Sequence, residues 1–249
     1  MNWLTGIHAV EEALRAGRPL ERIVIARGRH GDRMEEIVQL ARTRNVPVRF
    51  EDRQQLDRLS NTREHQGVIA LGAAKSVLSL EDILAAKSQN GLLVLLDVVE
   101  DPQNLGAIVR TSLAAGAEAV VIPERRAAGL TETVSRTSAG ALEHLPVARV
   151  KNLVRAMEEM KEAGYWLIGL DERAEKNYTD ADFKGSVGIV LGSEGEGLHE
   201  LTRKRCDFLV SIPTTGPVRS LNVSVAAGIV LFEAVRQRTE RKNKQKLPA

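Results

Sequence analysis

Residues 212–227 read IPTTGPVRSLNVSVAA, and the way this stretch leaves a strand and enters a helix decides how the larger part of the chain is organised. It follows an apolar run, Phe208 to Ile212, that reads as a strand. Pro213, Gly216 and Pro217 then impose a rigid irregular loop, because proline fixes φ and glycine accepts turn conformations. Ser220 suits the N-cap of the helix beyond. Leu221, Val223, Val225, Ala226, Ile229 and Val230 put apolar side chains on nearly every side of that helix's first turns, which predicts burial all round. Ser220 and Asn222 are polar residues on this otherwise buried segment, so they are expected to face a ligand or a partner.

Upstream, apolar runs recur at Leu92 to Val98, Ala119 to Ile122, Leu145 to Val150, Trp166 to Leu170 and Val187 to Leu191. Helical patterns fall between several of them, at Asn104 to Ala115, Asn152 to Ala163 and His199 to Cys206. Buried apolar strands alternating with helices predict an α/β fold with a mainly parallel sheet covered on both faces. Ligands of such sheets bind beyond the carboxyl ends of strands, so the loops there are where chemistry is to be sought. Residues 1–73 form a separate, smaller α/β module, with helices at Gly6 to Leu14, Asp32 to about Arg44 and Asp52 to Leu59, and strands at Arg22 to Ala26, Val46 to Phe50 and Gln66 to Leu71. A connector, including Lys75 to Ser79, occupies 74–90 and ends at the turn Asn90-Gly91. The tail, 239–249, is basic and lacks a periodic apolar pattern, which predicts disorder.

Composition narrows the function. The single cysteine, Cys206, excludes a disulfide framework and zinc clusters, and the five histidines have no ligand spacing, so no metal is expected. No apolar run spans a membrane, since the longest, Leu92 to Val99, is broken by Asp97. The start, MNWLTGIHAVEEAL, lacks the basic opening and cleavage site of a signal peptide, so a cytoplasmic protein is expected. Net charge is only +2, but arginines are dense in the first sixty-odd residues and in the tail.

Two more loops invite chemistry. After Leu92 to Val98 comes EDPQNLGAIVRTSLAAG, in which Asn104 can cap a helix, Gly106 permits close backbone approach and Arg110 lies more than a turn inside. Taken alone, Arg110 is more often a solvent-facing helix residue. After Val187 to Leu191 comes GSEGEGL, a glycine-rich turn whose spacing, Gly192, Gly195 and Gly197, is not that of a dinucleotide fold. Its two glutamates would repel a pyrophosphate, so an uncharged or cationic cofactor held by backbone groups fits better. The segment TSAGALEH, Thr137 to His144, is small and polar enough to admit a substrate backbone, and equally suits plain helix packing.

NLGAIVRT, LGSEGEGL and IPTTGPVRSLNVSVA, in this order, resemble the three motifs of the SpoU-class (TrmH-like) RNA ribose 2′-O-methyltransferases, and the match runs from about Gly91 to Arg238. GIHAVEEAL, EHQGVIA and TSAGALEHLPVARV resemble the branch that modifies 23S ribosomal RNA. The resemblance implies a C-terminal α/β knot (SPOUT trefoil-knot) methyltransferase domain, with a small N-terminal L30e-like α/β domain that binds RNA. It implies S-adenosylmethionine as cofactor and a homodimer with the site near its interface. Carried over position by position, Gly192, Ile212 and Leu221, with Leu191, Thr214 and Gly216 beside them, would hold the cofactor. Asn104, Arg110, Glu194, Ser220 and Asn222 would form the catalytic set. A guanidinium is too weak a base to take a proton near neutrality, so Arg110 is expected to clamp a phosphate and the developing oxyanion. Rival readings are a transfer-RNA ribose methyltransferase of the same class and a non-catalytic RNA-binding or ribosome-assembly protein. DNA and membranes are not expected partners. Pyrimidine C5-methylation needs a cysteine nucleophile in a supporting motif, which Cys206 lacks.

Overall fold

The structure is a computed structural model that describes residues 2–73, 78–125, 127–193, 195–217 and 220–246. It comprises, in order, β1 (Asn2–Thr5), α1 (Ile7–Arg15), β2 (Leu20–Ala26), α2 (Asp32–Thr43), β3 (Val48–Glu51), α3 (Arg53–Ser60), β4 (Val68–Gly72), α4 (Leu80–Ala85), β5 (Leu92–Leu96), α5 (Pro102–Ala114), β6 (Ala119–Pro123), α6 (Glu132–Thr137), α7 (Ala141–His144), β7 (Val147–Val150), α8 (Leu153–Glu162), β8 (Trp166–Leu170), β9 (Val187–Leu191), α9 (Glu200–Arg205), β10 (Phe208–Val210) and α10 (Val223–Lys246). Two compact units result, one of Met1–Ser76 with Gly129–His144, the other of Val77–Ala128 with Leu145–Ala249.

The first unit is built on a mixed sheet in the order β1-β4-β2-β3. β4 runs antiparallel to β1 and β2, while β2 and β3 are parallel. Central β4, VIALG, is buried along its whole length because helices cover both faces. Val10, Leu14, Met34 and Ile37 of α1 and α2 pack with Ile23, Ile25, Val68 and Ala70 on one face. On the other, Leu56 of α3 packs with Val24, Ala26 and Ile69. Thr137 to His144 belongs to this unit and serves as packing: α6 lies on β1, and Arg18 pairs with Glu143 at 2.7 Å.

The second unit carries a six-stranded, wholly parallel sheet in the order β10-β8-β9-β5-β6-β7. Runs such as LLVLL and VGIVL form its buried centre because both faces are covered, so no alternation is needed. Leu93 and Leu95 face Leu80, Ile83, Leu153, Met157 and Met160 from α4 and α8. Side chains alternate along a strand, so the intervening residues face the layer formed by α5 and α10, which pack on each other and against β6 and β9. After β5 the chain builds outward through β6 and β7, then returns to the far side and inserts β9 beside β5. The direction of winding therefore switches between β5 and β9, and such a switch opens a crevice at the carboxyl ends.

Several expectations need correction. The N-cap of α5 is Asp101, whose carboxylate accepts from the Gln103 and Asn104 amides, with Pro102 at the first helical position. Asn104 lies inside the first turn. α10 begins at Val223, and Asn222 rather than Ser220 caps it, accepting from the Ser224 amide at 2.9 Å. Burial of the first turns of α10 is one-sided: Val223, Ala226, Ala227 and Val230 are buried, whereas Leu221, Val225 and Phe232 are exposed. Ser220 and Asn222 are exposed as well. α10 also continues to Lys246, past the point where a structureless tail is expected, because Glu233, Arg236 and Glu240 brace successive turns. Residues 247–249, and residues 74–77 of the connector 74–90, lie outside the described residues.

Candidate active site

Three segments meet at the carboxyl ends of β8 and β9. Leu191 to Ser193 with Gly195 to Gly197 ends and follows β9, Leu170 to Arg173 ends and follows β8, and the chain between β10 and α10 brings Ile212, Ser220 and Leu221 alongside, with Val223 and Ala226 behind them. Together they line a cavity of about 210 Å³.

The glycine-rich loop is closed by backbone bonds in both directions between Ser193 and Gly197, at 3.1 and 3.2 Å. Gly195 and Gly197 take φ of +91° and +71°, a region that side chains disfavour. At Gly192 the constraint is contact: a Cβ there would run into the carbonyl of Gly197 and the amide of Leu198. The loop's far end is tied down by Asp97, buried at the end of β5. Its carboxylate accepts from the His199 amide at 2.8 Å and faces the His199 ring at 3.1 Å. The Asp97 amide in turn donates to Leu191. Val98, next along, is held at φ +62°, an outlier for a β-branched residue and a local store of strain.

Charge at the rim is arranged unevenly. Asp171 is buried; burial alone would raise its pKa, but hydrogen bonds from Arg173 and the charge of Arg203 outweigh that and hold its carboxyl below the ordinary range. Both arginines stand within 3.0 Å of it. Glu172 and Glu196 are exposed carboxylates on the cavity lining. A second cavity adjoins the first through Ser193, Glu196 and Val223, and is otherwise lined by Val98 to Asp101, Asn104 and His199. Asn104 is buried on its wall, and its side-chain oxygen accepts from Asn222 Nδ2 at 2.9 Å. That bond joins the first turn of α5 to the cap of α10.

Residues 91–232 match the SpoU rRNA Methylase family, and residues 3–77 match the family described as RNA 2'-O ribose methyltransferase substrate binding. This chain belongs to the SpoU rRNA Methylase family. It is 44% identical over 238 residues to the 23S rRNA (guanosine-2'-O-)-methyltransferase RlmB of Ralstonia nicotianae, covering 95% of this chain and 96% of that protein. It is 41% identical over 240 residues to the putative TrmH family tRNA/rRNA methyltransferase YacO of Bacillus subtilis, at 95% and 96% coverage. Among solved structures, the SpoU methyltransferase AviRb of Streptomyces viridochromogenes in complex with the cofactor AdoMet superposes with a TM-score of 0.82 at 28% identity, covering 96% of this chain and 90% of that one.

Of the residues that the SpoU resemblance marks for the cofactor, Leu191, Gly192, Ile212 and Leu221 line the first cavity, and so does Ser220. Thr214 and Gly216 do not. Asn104 lines the second cavity, with Asn222 bonded to it. The Arg110 side chain is exposed on α5, lines neither cavity, and makes no ion pair or hydrogen bond with a described residue. Glu194 lies outside the described residues. The sequence reading passed over Asp171 to Arg173 and the Asp97–His199 pair. For the former, the only signal was position after a strand's carboxyl end; for the latter, it was a lone acid ending an apolar run. Cys206 is partly buried, and burial pushes its thiol up to about 12, so it is a protonated packing residue at neutral pH.

Proposed function

We propose that this chain transfers a methyl group from S-adenosylmethionine to a ribose 2′-hydroxyl of RNA, and that the acceptor is a guanosine of 23S ribosomal RNA. The observation that carries the reading is the cavity where the Gly192 loop, the Ile212 to Leu221 segment and the Leu170 to Arg173 turn meet. Its composition suits the cofactor. Leu170, Leu191, Ile212, Leu221 and Ala226 offer an apolar bed for an adenine ring, glycine backbone offers polar groups at close range, and Glu172 and Glu196 complement positive charge.

When bound, S-adenosylmethionine supplies a methyl group on a sulfonium, which departs as a neutral thioether. The chain's own residues have to align the acceptor and manage its proton. Asn104 and Asn222, bonded to each other between the two cavities, hold the first turn of α5 and the start of α10 at a fixed spacing and orient an incoming ribose. Ser220 lies beside them on the cavity wall. Arg110 clamps the phosphate next to the attacking 2′-oxygen and stabilises its developing negative charge, while the proton passes to phosphate or water. Glu194 positions the glycine-rich loop. Thr214 and Gly216 shape the loop rather than touch the cofactor.

Arg110 stands away from the cavities of its own chain, which supports a site completed by a second copy. The apolar stripe of Val225, Ile229 and Phe232, spaced to fall on one face of α10, supports a homodimer. The knot is part of the same reading. In this reading the chain leaving edge strand β10 would thread beneath the segment after β8, and two sets of contacts support it: Ser211 is bonded to Lys176 and Tyr178 of that segment. From α10, Gln237 bonds the Phe183 amide and Ala181 carbonyl, and Arg238 the Phe183 and Gly185 carbonyls. The first unit, an L30e-like module in this reading, holds RNA, and the enzyme acts in the cytoplasm, where ribosomal RNA is. No helix among the described residues is long and apolar enough to cross a membrane.

Incubating the protein with labelled S-adenosylmethionine and separated ribosomal and transfer RNAs, then mapping the labelled ribose, tests the reading. Label on a guanosine 2′-oxygen of 23S RNA is expected. Label on transfer RNA alone would move the substrate, and no transfer at all, with no cofactor binding by calorimetry, would remove the activity.

A further inference from the structure

β5 runs as LLVLL, buried on both faces, and the residue that follows it is a carboxylate. Asp97 is 5% exposed, and both of its oxygens go to one residue: Oδ2 accepts from the His199 amide at 2.8 Å, and Oδ1 lies 3.1 Å from Nδ1 of the His199 ring. A tie to a backbone amide needs only a neutral acceptor, such as Asn or Ser, whereas a buried carboxylate is unfavourable unless positive charge answers it. Among the described residues no Lys or Arg pairs with Asp97, and its ion-pair partner is that imidazole alone. A negative charge is thus held beside a ring that can become positive.

His199 stands at the entry to α9, where a Ser, Thr or Asp side chain would bond a free amide of the helix. Its ring makes no such bond and turns back to Asp97 instead. With Nδ1 turned to the carboxylate, the neutral ring carries its proton there and presents the lone pair of Nε2. Nε2 makes no ion pair or hydrogen bond with a described residue, and His199 lines the second cavity together with Asn104, Ser193 and Val223. That cavity, of about 440 Å³, has room for a nucleoside and not for water alone. Val98, strained at φ +62°, lines the same cavity directly after Asp97, so the chain is held in an unfavourable conformation where the carboxylate and the cavity wall meet.

We propose that Asp97 and His199 form a dyad that receives the proton of the acceptor 2′-hydroxyl. The inference rests on the RNA methylation proposed above and deepens it by naming where the proton ends: it crosses the water of that reading to His199 Nε2. As the 2′-oxygen bonds to the methyl carbon, the carbon–sulfur bond breaks and sulfur keeps the electron pair as a neutral thioether. The hydroxyl proton goes to Nε2, and the imidazolium so formed keeps its Nδ1 proton on the Asp97 carboxylate. A base works best when it titrates near the operating pH; a carboxylate ordinarily titrates too low and a guanidinium too high. Imidazole is the side chain that ordinarily changes charge between pH 5 and 8, and His199 is the one imidazole on the lining of either cavity.

Among the described residues, the charged groups about the ring are Asp97 at the end of β5, Glu100 and Asp101 before α5, Glu196 in the glycine-rich loop, and Glu200 and Arg203 on α9. Asp101 is committed to the cap of α5, Glu200 to Lys204 and Arg203 to Asp171. The neutral ring is the active form, so the rate is lost as pH falls through its titration. The test uses the full-length chain, labelled S-adenosylmethionine and the RNA that the unaltered chain methylates, with single-turnover rates measured from about pH 5 to 9. His199→Gln is expected to lower the rate about 100-fold or more and to abolish the acid limb of the profile, with cofactor affinity by calorimetry unchanged. Added imidazole is expected to restore part of the rate to His199→Ala. Asp97→Asn keeps an acceptor for the His199 amide but removes the charge that favours imidazolium, so the acid limb should move to lower pH as the rate falls. A His199→Gln rate within about threefold of the parent's, or an acid limb that survives that substitution, would overturn the dyad while the methylation reading stands. Failure of the unaltered chain to methylate any RNA would overturn both.

Discussion

Gly192→Ala probes the cofactor loop at its tightest point. The added Cβ would sit inside the carbonyl of Gly197 and 2.5 Å from the Leu198 amide nitrogen, against 3.4 Å for ordinary contact, so the facing backbone must retreat by about 1 Å. It has little freedom to do so. The loop is clamped by the Ser193–Gly197 bonds and anchored at its far end by Asp97 on His199. Overpacking costs about 1–3 kcal/mol, and lengthening the Ser193–Gly197 pair adds about 1 kcal/mol, giving roughly 2–4 kcal/mol. For a unit of this size that lowers Tm by about 5–12 °C. A comparable displacement of the cavity wall should cost S-adenosylmethionine at least about tenfold in affinity, since 1.4 kcal/mol suffices. Gly185→Ala, with nothing near the added carbon and an ordinary φ, is the control and should stay within about 0.5 kcal/mol. Thermal melts with and without cofactor, together with titration calorimetry, give both quantities. A Gly192→Ala protein with the parent's Tm and cofactor affinity would refute the argument that backbone contact fixes this residue.

Asn222→Asp keeps the cap of α10 but can no longer donate to Asn104, so it should cost about 1 kcal/mol in stability, against about 2 kcal/mol for Asn222→Ala, while both lose most methyl transfer; equal activity to the parent in either variant would leave the residue a cap alone. Arg238, half-buried and donating to the carbonyls of Phe183, Asn90, Gly91 and Gly185, should cost about 2–4 kcal/mol when replaced by methionine, read from urea unfolding, and lysine should restore only part of it. The Asp171 carboxyl is depressed in the fold, so its contribution is present above the unfolded value of about 3.9 and is lost as pH falls through the lower folded value. Asp171→Asn should cost about 1–2 kcal/mol at pH 7 and flatten stability against pH below about 4; a parent-like acid limb in the variant would rule the pair out as its cause. Val225→Asp with Phe232→Asp should convert a dimer to monomers by sedimentation and abolish methyl transfer without lowering the Tm by more than about 3 °C, and an unchanged sedimentation profile would dismiss this stripe as the interface.

Strands of the second unit were legible because a parallel strand buried on both faces writes itself as a short continuous apolar run, as LLVLL and VGIVL do. Helix starts were harder. Asn104 and Ser220 are good capping residues by type, yet Asp101 and Asn222 hold those positions. A cap is fixed by where the backbone leaves extended conformation, and in α5 the proline after Asp101 was the missed cue. The one-sided burial of α10 was invisible for a different reason: Val225 and Val230 are the same residue type, and only the packing of α5 decides which of them meets solvent. At the cavity, Gly192, Ile212 and Leu221 stood out in the sequence because their residue types are unusual for their setting. Asp171 to Arg173 is ordinary in sequence and reaches the cavity only through its position at the end of β8. The Asp97–His199 pair joins residues 102 apart, which local patterning does not register.

Arg110 and the exposed face of α10 belong to one physical question. α5 and α10 pack directly on each other, and Gly228 lies against Thr111, the neighbour of Arg110. In the proposed homodimer the guanidinium and the stripe of Val225, Ile229 and Phe232 would border one interface. An apolar stripe in water is unfavourable by about 1 kcal/mol or more for each large side chain left half exposed, whereas a charged Arg in water costs nothing. Covering the stripe with a second copy removes the first penalty and necessarily changes the surroundings of Arg110, which would then sit at the edge of a desolvated interface. There its charge is screened less, and a phosphate or oxyanion is worth more to it than in open solvent. The proposed function would thus divide two tasks between the chain and its assembly: the chain's own cavity walls would hold the cofactor, and a second copy would supply the low-dielectric setting in which an arginine stabilises developing charge.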